Sequence, residues 1–280
     1  MSYHHCVIVE GKLYIGGGDT YSYDDDEHTV WQYESEQWSK LKQYKCRYFS
    51  MAAVKRQLTL VGGEDSSTWQ PTSDIAVWDR EGASHTWTHP YPPMPTPRYW
   101  PAVATYNQWL VVAGGCVDYF NKLAAVEVLD TDNHQWLSAS SLPVKCSHVT
   151  TAILQDELYL VGGILNKTLV ANLPDIIHSS TSATTNPWRT LPAPPLERSA
   201  AITVHGALLA VSGCHGMDYS TASTAIHVYQ PATNSWSKVG DLPSPRSHCA
   251  CTVLHSGELL VAGGRDSNGI LTARVDVAVM

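Results

Sequence analysis

Six short hydrophobic runs, each ending in a glycine pair or its near-copy, predict an all-β chain of six repeated units, a six-bladed β-propeller of antiparallel four-stranded blades with an incomplete, three-stranded last blade. The runs are Tyr14-Ile15-Gly16-Gly17, Leu60-Val61-Gly62-Gly63, Val112-Ala113-Gly114-Gly115, Leu160-Val161-Gly162-Gly163, Ala210-Val211-Ser212-Gly213 and Val261-Ala262-Gly263-Gly264. Their second glycines, Gly17, Gly63, Gly115, Gly163, Gly213 and Gly264, follow one another at 46, 52, 48, 50 and 51 residues. A second marker keeps the same phase: Trp38, Trp87, Trp136, Trp188 and Trp236 each follow a glycine pair by 21 to 25 residues. A period near 50 belongs to stacked or radial repeats rather than to ordinary domains.

Residues 98 to 140 show how one unit is built. Ala102-Val103-Ala104-Thr105 reads as a first strand and Trp109-Leu110-Val111-Val112-Ala113 as a second. Ala125-Val126-Glu127-Val128-Leu129 alternates as a third, and Gln135-Trp136-Leu137-Ser138 closes the unit as a fourth. Tyr106-Asn107-Gln108 and Thr131-Asp132-Asn133-His134 are short and rich in turn formers, so the connections are hairpins and the sheet is antiparallel. First strands are rich in small residues (Ala52-Ala53, Ala102 and Ala104, Thr151-Ala152, Ala200-Ala201, Ala250), as expected where sheets converge on an axis. Fourth strands carry the repeat tryptophans, expected to be structural and buried between neighbouring blades; the glycines let the chain leave the second strand close to another backbone. One domain over 1–280 is expected, with approximate blades at 1–44, 45–92, 93–142, 143–194, 195–243 and 244–280, because no linker interrupts the period.

The pattern Arg-x-x-x-small, hydrophobic-Gly-Gly, alternating hydrophobic with Asp, then Trp and a Leu-Pro-x-x-Pro tail resembles the kelch repeat over essentially the whole chain. The tails are Pro92-Pro93-Met94-Pro95-Thr96-Pro97-Arg98, Leu191-Pro192-Ala193-Pro194-Pro195 and Leu242-Pro243-Ser244-Pro245-Arg246. Two departures stand out: Ser212 replaces a glycine in the fifth unit, and Pro174 with Asn186-Pro187 makes the fourth unit's third strand ragged. The resemblance extends to the kelch domains of BTB-kelch adaptor proteins. It implies that arginines and serines at the same motif positions line a pocket for an acidic or polar peptide.

Composition narrows the function classes. A formal net charge of -8 argues against a general nucleic-acid or anionic-membrane binder. No apolar run approaches the roughly 18 residues of a membrane helix. Met1-Ser2-Tyr3-His4-His5 does not read as a signal peptide, so the expected location is cytoplasmic. Seven cysteines, an odd number, fit reduced thiols better than a disulfide framework, and Asn166-Lys167-Thr168 then reads as an accidental sequon.

The loops after the second strands and those leading into the first strands open on one face, and they differ from the polar turns opposite. Aromatic side chains and arginine concentrate there, the composition of protein-binding hot spots. The expected partner-binding residues are Tyr21, Arg47, Tyr48, Trp69, Arg98, Tyr99, Tyr119, Phe120, Arg198, His215, Tyr219, Arg246 and Arg265. Arg47, Arg98, Lys145, Arg198 and Arg246 recur closely enough to form a ring of cations about the axis. The competing reading makes such an arginine framework, bonded to carbonyls of the adjoining blade, and places first-strand aromatics such as Phe49 and Trp100 in the core.

Catalytic readings are weaker. His4-His5-Cys6, Cys146 with His148, Cys214-His215 and His248-Cys249 share a face but lack the spacing of a preformed metal pair. Asp24-Asp25-Asp26-Glu27 reads as a solvated loop, and there is no Gly-x-Ser-x-Gly elbow. The expectation is a non-enzymatic interaction module without a cofactor, binding a peptide or loop of a protein partner at the channel mouth. The alternatives are a carbohydrate-binding or metal-dependent propeller enzyme using the same face, or a scaffold piece whose function lies in an accompanying BTB or kinase domain. The open third strand Val275-Asp276-Val277-Ala278-Val279-Met280 in blade six would be an edge suited to self-association.

Overall fold

A computed structural model describes residues 5–18, 29–34, 37–80, 85–163, 165, 167–179, 185–215, 218–254, 256–272 and 274–278. Five sheets have four strands and the sixth has three, each antiparallel and in chain order. The chain is a six-bladed propeller by fold, with the three-stranded blade last. The first sheet is His5–Val9, Lys12–Gly16, Trp31–Glu34 and Gln37–Lys40. Ser50–Val54, Gln57–Val61, Ile75–Asp79 and Thr86–Thr88 form the second. The third is Ala102–Tyr106, Trp109–Ala113, Val126–Asp130 and Gln135–Ala139. The fourth is Thr150–Leu154, Glu157–Val161, Lys167–Asn172 and Arg189–Pro192. Ala200–Val204, Ala207–Val211, Ser223–Gln230 and Ser235–Arg246 form the fifth; Ala250–Val253, Leu259–Ala262 and Val275–Ala278 form the sixth.

The described residues divide into two compact units, one running from His5 to Ser147 and the other from His148 to the last strand, Val275–Ala278. Within the first unit, the first strands of sheets one, two and three lie side by side, and those of sheets four, five and six do so in the second. Small residues make this close approach cheap: Ala52, Ala102, Ala104, Ala200 and Ala201 are all buried. Ser50, with no exposed surface, donates its hydroxyl to the carbonyl of Pro101 at 2.6 Å and so ties the second first-strand to the third. Among the described residues, second strands supply more of the core than first, third or fourth strands do, with Leu60, Leu110, Leu160 and Leu209 among them.

Two local expectations need correction. The third strand of the fourth sheet is regular, not ragged: Lys167–Asn172 pairs along Glu157–Val161 and then ends at the short helix Leu173–His178. Asn172 caps that helix by accepting from the Asp175 amide at 3.3 Å, and Pro174 sits in its first turn, where a missing N–H costs nothing. Leu173, Ile176 and Ile177 bury its apolar side.

The tryptophans are not uniformly buried between blades. Trp188 is buried, Trp87, Trp136 and Trp236 are half-buried, and Trp38 is 42% exposed. Three of them meet an aromatic of their own third strand at a tilt: Tyr33 to Trp38 at 4.9 Å, Trp78 to Trp87 at 5.0 Å, Tyr229 to Trp236 at 5.5 Å between centroids. Their indole N–H groups then reach the segment that leaves the preceding sheet, Trp87 to the Lys42 carbonyl at 2.7 Å, Trp136 to Pro92 at 2.9 Å and Trp236 to Pro192 at 2.9 Å. The outer strand is open to solvent on one side, so the indole works as a staple with one wet face rather than as core filling.

Candidate functional site

The register of the loops that lead into the first strands is set by one backbone feature. Tyr48, Trp100, His148, Arg198 and His248 are all left-handed, with φ of 58°, 51°, 58°, 56° and 57°, and each lies two residues before its first strand. The Trp100 amide donates to the Tyr48 carbonyl at 3.0 Å in one unit, and the His248 amide to the Arg198 carbonyl at 3.2 Å in the other. Counted from this position, Arg98 and Arg246 are equivalent to each other and to Cys46, Cys146 and Leu196. Arg47 is one residue off, Arg198 occupies the left-handed position itself and Lys145 is one residue off on the other side. The expected ring of five cations is therefore not a structural ring.

Arg98 and Arg246 are framework, contrary to the expectation that they meet a partner. Both are 0% exposed. Arg98 Nη2 pairs with Glu127 at 2.7 Å, while Nη1 donates to the carbonyls of Gly114 at 2.9 Å and Ala125 at 3.2 Å. Arg246 repeats this in the sixth sheet, pairing with Asp276 and donating to the carbonyls of Gly263 and Arg274, both at 3.3 Å. A guanidinium has enough N–H donors to close the gap between a second strand and a third while satisfying a buried carboxylate. Tyr99, also expected at the surface, is 2% exposed.

In the first unit, the remaining expected residues converge. The short ribbon Cys46–Arg47 pairs with Glu64–Asp65, which sets Arg47 against Glu64 at 2.8 Å from Nε and 2.7 Å from Nη2. The same guanidinium lies 4.4 Å from the ring centroid of Trp69 and 4.7 Å from that of Tyr48. Tyr48 packs on Trp100 at 4.5 Å, Tyr99 meets Trp100 edge-on at 4.8 Å, and Trp100 meets Tyr119 edge-on at 6.0 Å. Tyr48, Tyr99, Trp100 and Cys116 form the buried base of this ledge. On top of it Trp69 is 54% exposed, Tyr119 70% and Phe120 92%.

The sequence reading missed what holds these aromatics out. Asp65 accepts from the Ser67 and Thr68 amides at 2.9 and 3.1 Å, and Asp118 accepts from the Phe120 and Asn121 amides at 2.9 and 2.8 Å. Asp218 and Asp266 fold the corresponding loops of the other unit in the same way. The signal was present as an aspartate two to five residues after the glycine pair, a position where an Asx turn is formed. Asp118 is held below the usual carboxylate range by its bonds to the Asn121 side chain and the two amides.

The second unit presents a polar cluster instead. Arg198 Nη1 lies 2.8 Å from His248 Nε2, and His248 Nδ1 lies 2.8 Å from the Ser247 hydroxyl. Burial, with Arg198 and Arg265 adding to it, pushes the His248 pKa down to about 2. The ring is therefore neutral; Nε2 accepts from the guanidinium and Nδ1–H donates to Ser247. Arg265 is buried and closes its own loop through the Gly269 carbonyl at 2.7 Å, so it too is largely framework. His215 is exposed, and Tyr219 begins the 3-10 turn Tyr219–Thr221. Tyr21 lies outside the described residues. Among the described residues, no group of three His, Cys, Asp or Glu side chains converges as a metal set.

The buried neutral imidazole carries a pH dependence of known sign. Below about 6.5 the unfolded chain takes up a proton that folded His248 refuses, so stability falls as pH drops, by up to about 1.4 kcal/mol per unit, and His248 adds no slope above that range. Urea midpoints followed from neutral pH to about pH 5 should fall more steeply for the wild type than for His248→Gln. Equal slopes would show that His248 is protonated alike in both states.

Comparison with known proteins agrees with this geometry. Residues 48–269 match the model of the KLHDC2/KLHL20/DRC7 Kelch-repeats domain. Mouse Kelch-like protein 35 is 26% identical over 251 residues, which span 86% of this chain and 39% of that protein. Kelch-like protein terF of Aspergillus terreus is 27% identical over 241 residues, 80% of this chain and 50% of that protein. The chain thus spans half or less of the length of these relatives. The solved structure of YjhT superposes with a TM-score of 0.78 at 14% identity, covering 99% of this chain and 94% of its own. With the family match covering most of its length, the chain belongs to the kelch-repeat family.

Proposed function

We propose that this propeller is a non-enzymatic protein-interaction module that grips a peptide or loop of a partner on the Trp69–Tyr119 ledge. The observation that carries the reading is the ledge itself: three large aromatics exposed beside one half-buried arginine, on a base that is already packed. Exposed apolar surface of this kind is costly in water and is the usual composition of an interaction hot spot. Membership of the kelch-repeat family supports the same reading. The partner segment inserts an apolar side chain between Trp69 and Tyr119 and places an acidic or polar group near Arg47. Because the curated relatives are longer, a further domain such as BTB supplies the remaining activity in this reading.

Peptides selected against the domain from a proteome-wide display are the test. Trp69→Ala and Tyr119→Ala should each weaken a selected peptide about tenfold or more, about 1.4 kcal/mol, while leaving Tm within a degree or two of the wild type, since both side chains are largely in water. Peptides that bind both variants as well as the wild type would move the site elsewhere. Salt should weaken an acidic peptide and leave an apolar one unchanged.

A further inference from the structure

The chain passes from the fifth sheet to the sixth through Leu242-Pro243-Ser244-Pro245-Arg246. In the long strand Ser235–Arg246 the ladder pairs Ala225 with Asp241 and next Ser223 with Arg246, so residues 242–245 bulge out of regular pairing opposite Thr224. Its two prolines keep the segment extended and remove two N–H groups that would otherwise need partners. Ser244 and Pro245 are half-buried and Pro243 is exposed. A serine in this setting can be reached without breaking the sheet.

Its hydroxyl faces an incompletely used guanidinium. Ser244 Oγ accepts from Arg246 Nη2 at 3.2 Å, and the Nε–H of Arg246, a fully buried residue, meets no hydrogen-bond acceptor among the described residues. Nε and Nη2 form the side-on edge of a guanidinium, which matches two oxygens of one phosphoryl group. A second cation is close by: Arg274 Nε pairs at 2.8 Å with Asp276, the carboxylate that also takes Arg246, and its side chain is 51% exposed. Asp241, the acid of the same strand, is already engaged by Lys238 at 2.8 Å and by the Thr224 hydroxyl at 2.6 Å. These five charged side chains together carry one positive charge in excess.

The equivalent crossing from the second sheet to the third lacks these features. Thr96 precedes Pro97 and Arg98 as Ser244 precedes Pro245 and Arg246. Its hydroxyl, however, donates to the Glu127 carboxylate at 2.5 Å, and Arg98 Nε is committed to the Thr96 carbonyl at 3.1 Å. Ala125 stands where the sixth sheet has Arg274. A phosphate on Thr96 would meet a carboxylate, whereas one on Ser244 would meet two guanidinium groups.

We propose that Ser244 is a phosphorylation site for a proline-directed protein kinase, with Arg246 and Arg274 holding the phosphate. A serine directly before a proline in an extended, unpaired segment is the substrate form such kinases accept. In the transfer, Ser244 Oγ bonds to the γ-phosphorus of ATP and the bond from that phosphorus to the β,γ-bridging oxygen breaks. ADP leaves with the electron pair, and the hydroxyl proton passes to the catalytic aspartate of the kinase. The site does not depend on the Trp69 ledge.

Incubation of the folded chain with ATP and, separately, a cyclin-dependent and a mitogen-activated protein kinase tests the assignment by peptide mass mapping. Ser244 should be labelled at least about tenfold more than Thr96, and Ser244→Ala should lose that label. No phosphate at Ser244 from either kinase overturns the proposal. The clamp is read by ³¹P NMR on the labelled chain. Phosphoserine ordinarily has its second ionisation at about 6, and two guanidinium groups favour the dianion, so the folded chain should titrate at least about 0.5 lower than the same chain in urea. Arg274→Gln, at an exposed side chain whose partner Asp276 keeps Arg246, should reverse about half of that difference. Equal titration in the folded and unfolded chain, or no change on Arg274→Gln, overturns the clamp.

Discussion

Replacing Arg98 by alanine is expected to lower the unfolding free energy by about 3–5 kcal/mol, enough to unfold a domain of ordinary stability near physiological temperature. The substitution removes the partner of Glu127, which is itself buried, and strands the carbonyls of Gly114 and Ala125 that the guanidinium serves. An uncompensated carboxylate in that position costs more than the net worth of the pair it came from. Arg98→Met combined with Glu127→Leu should therefore recover much of the loss, because both charges are then absent. Urea midpoints and Tm for the single and double variants decide the matter. A single variant as stable as the wild type would return Arg98 to the surface and to partner binding.

Gly62→Ala is the second large effect. Gly62 has φ of 64°, and a Cβ there would stand 2.3 Å from the carbonyl oxygen of Arg98, a backbone atom that cannot rotate away. That same carbonyl accepts from the Gly63 amide at 3.0 Å, so moving it breaks a bond between the second sheet and the chain entering the third. About 1–2 kcal/mol for the left-handed backbone and about 1–3 kcal/mol for overpacking add to a destabilisation of about 2–5 kcal/mol. Ser212 shows the exception that proteins of this design tolerate: at the equivalent place it keeps φ of 61°, and its hydroxyl is hydrogen-bonded to the Arg246 carbonyl. An unchanged Tm for Gly62→Ala would mean that the Arg98 loop yields without loss.

The two effects explain why the mouth of the repeat could not be assigned by spacing. Arg47, Arg98, Lys145, Arg198 and Arg246 look periodic along the chain because each lies within three residues of the left-handed position of its own repeat. An offset of one or two residues nevertheless decides between a buried ion pair at Arg98, a guanidinium stacked on Trp69 at Arg47 and an imidazole partner at Arg198. The left-handed turn that sets the offset is held by hydrogen bonds to the neighbouring sheet, such as Trp100 to Tyr48, and is occupied by residues that do not advertise it.

What the sequence determined by itself is what local chemistry encodes at every repeat: alternating apolar residues make the strands, turn formers make the hairpins, and small residues mark the inner strands. The prominence of Trp69, Tyr119 and Phe120 was also legible, because loop aromatics after a glycine pair have no strand in which to hide. Only the tertiary structure decided the burial of Arg98, Tyr99 and Arg246, the wet face of Trp38 and the neutral ring of His248. Each of these depends on which atoms of a neighbouring sheet or loop, tens of residues away, lie within a few ångströms, and burial and charge pairing are properties of that neighbourhood rather than of the residue.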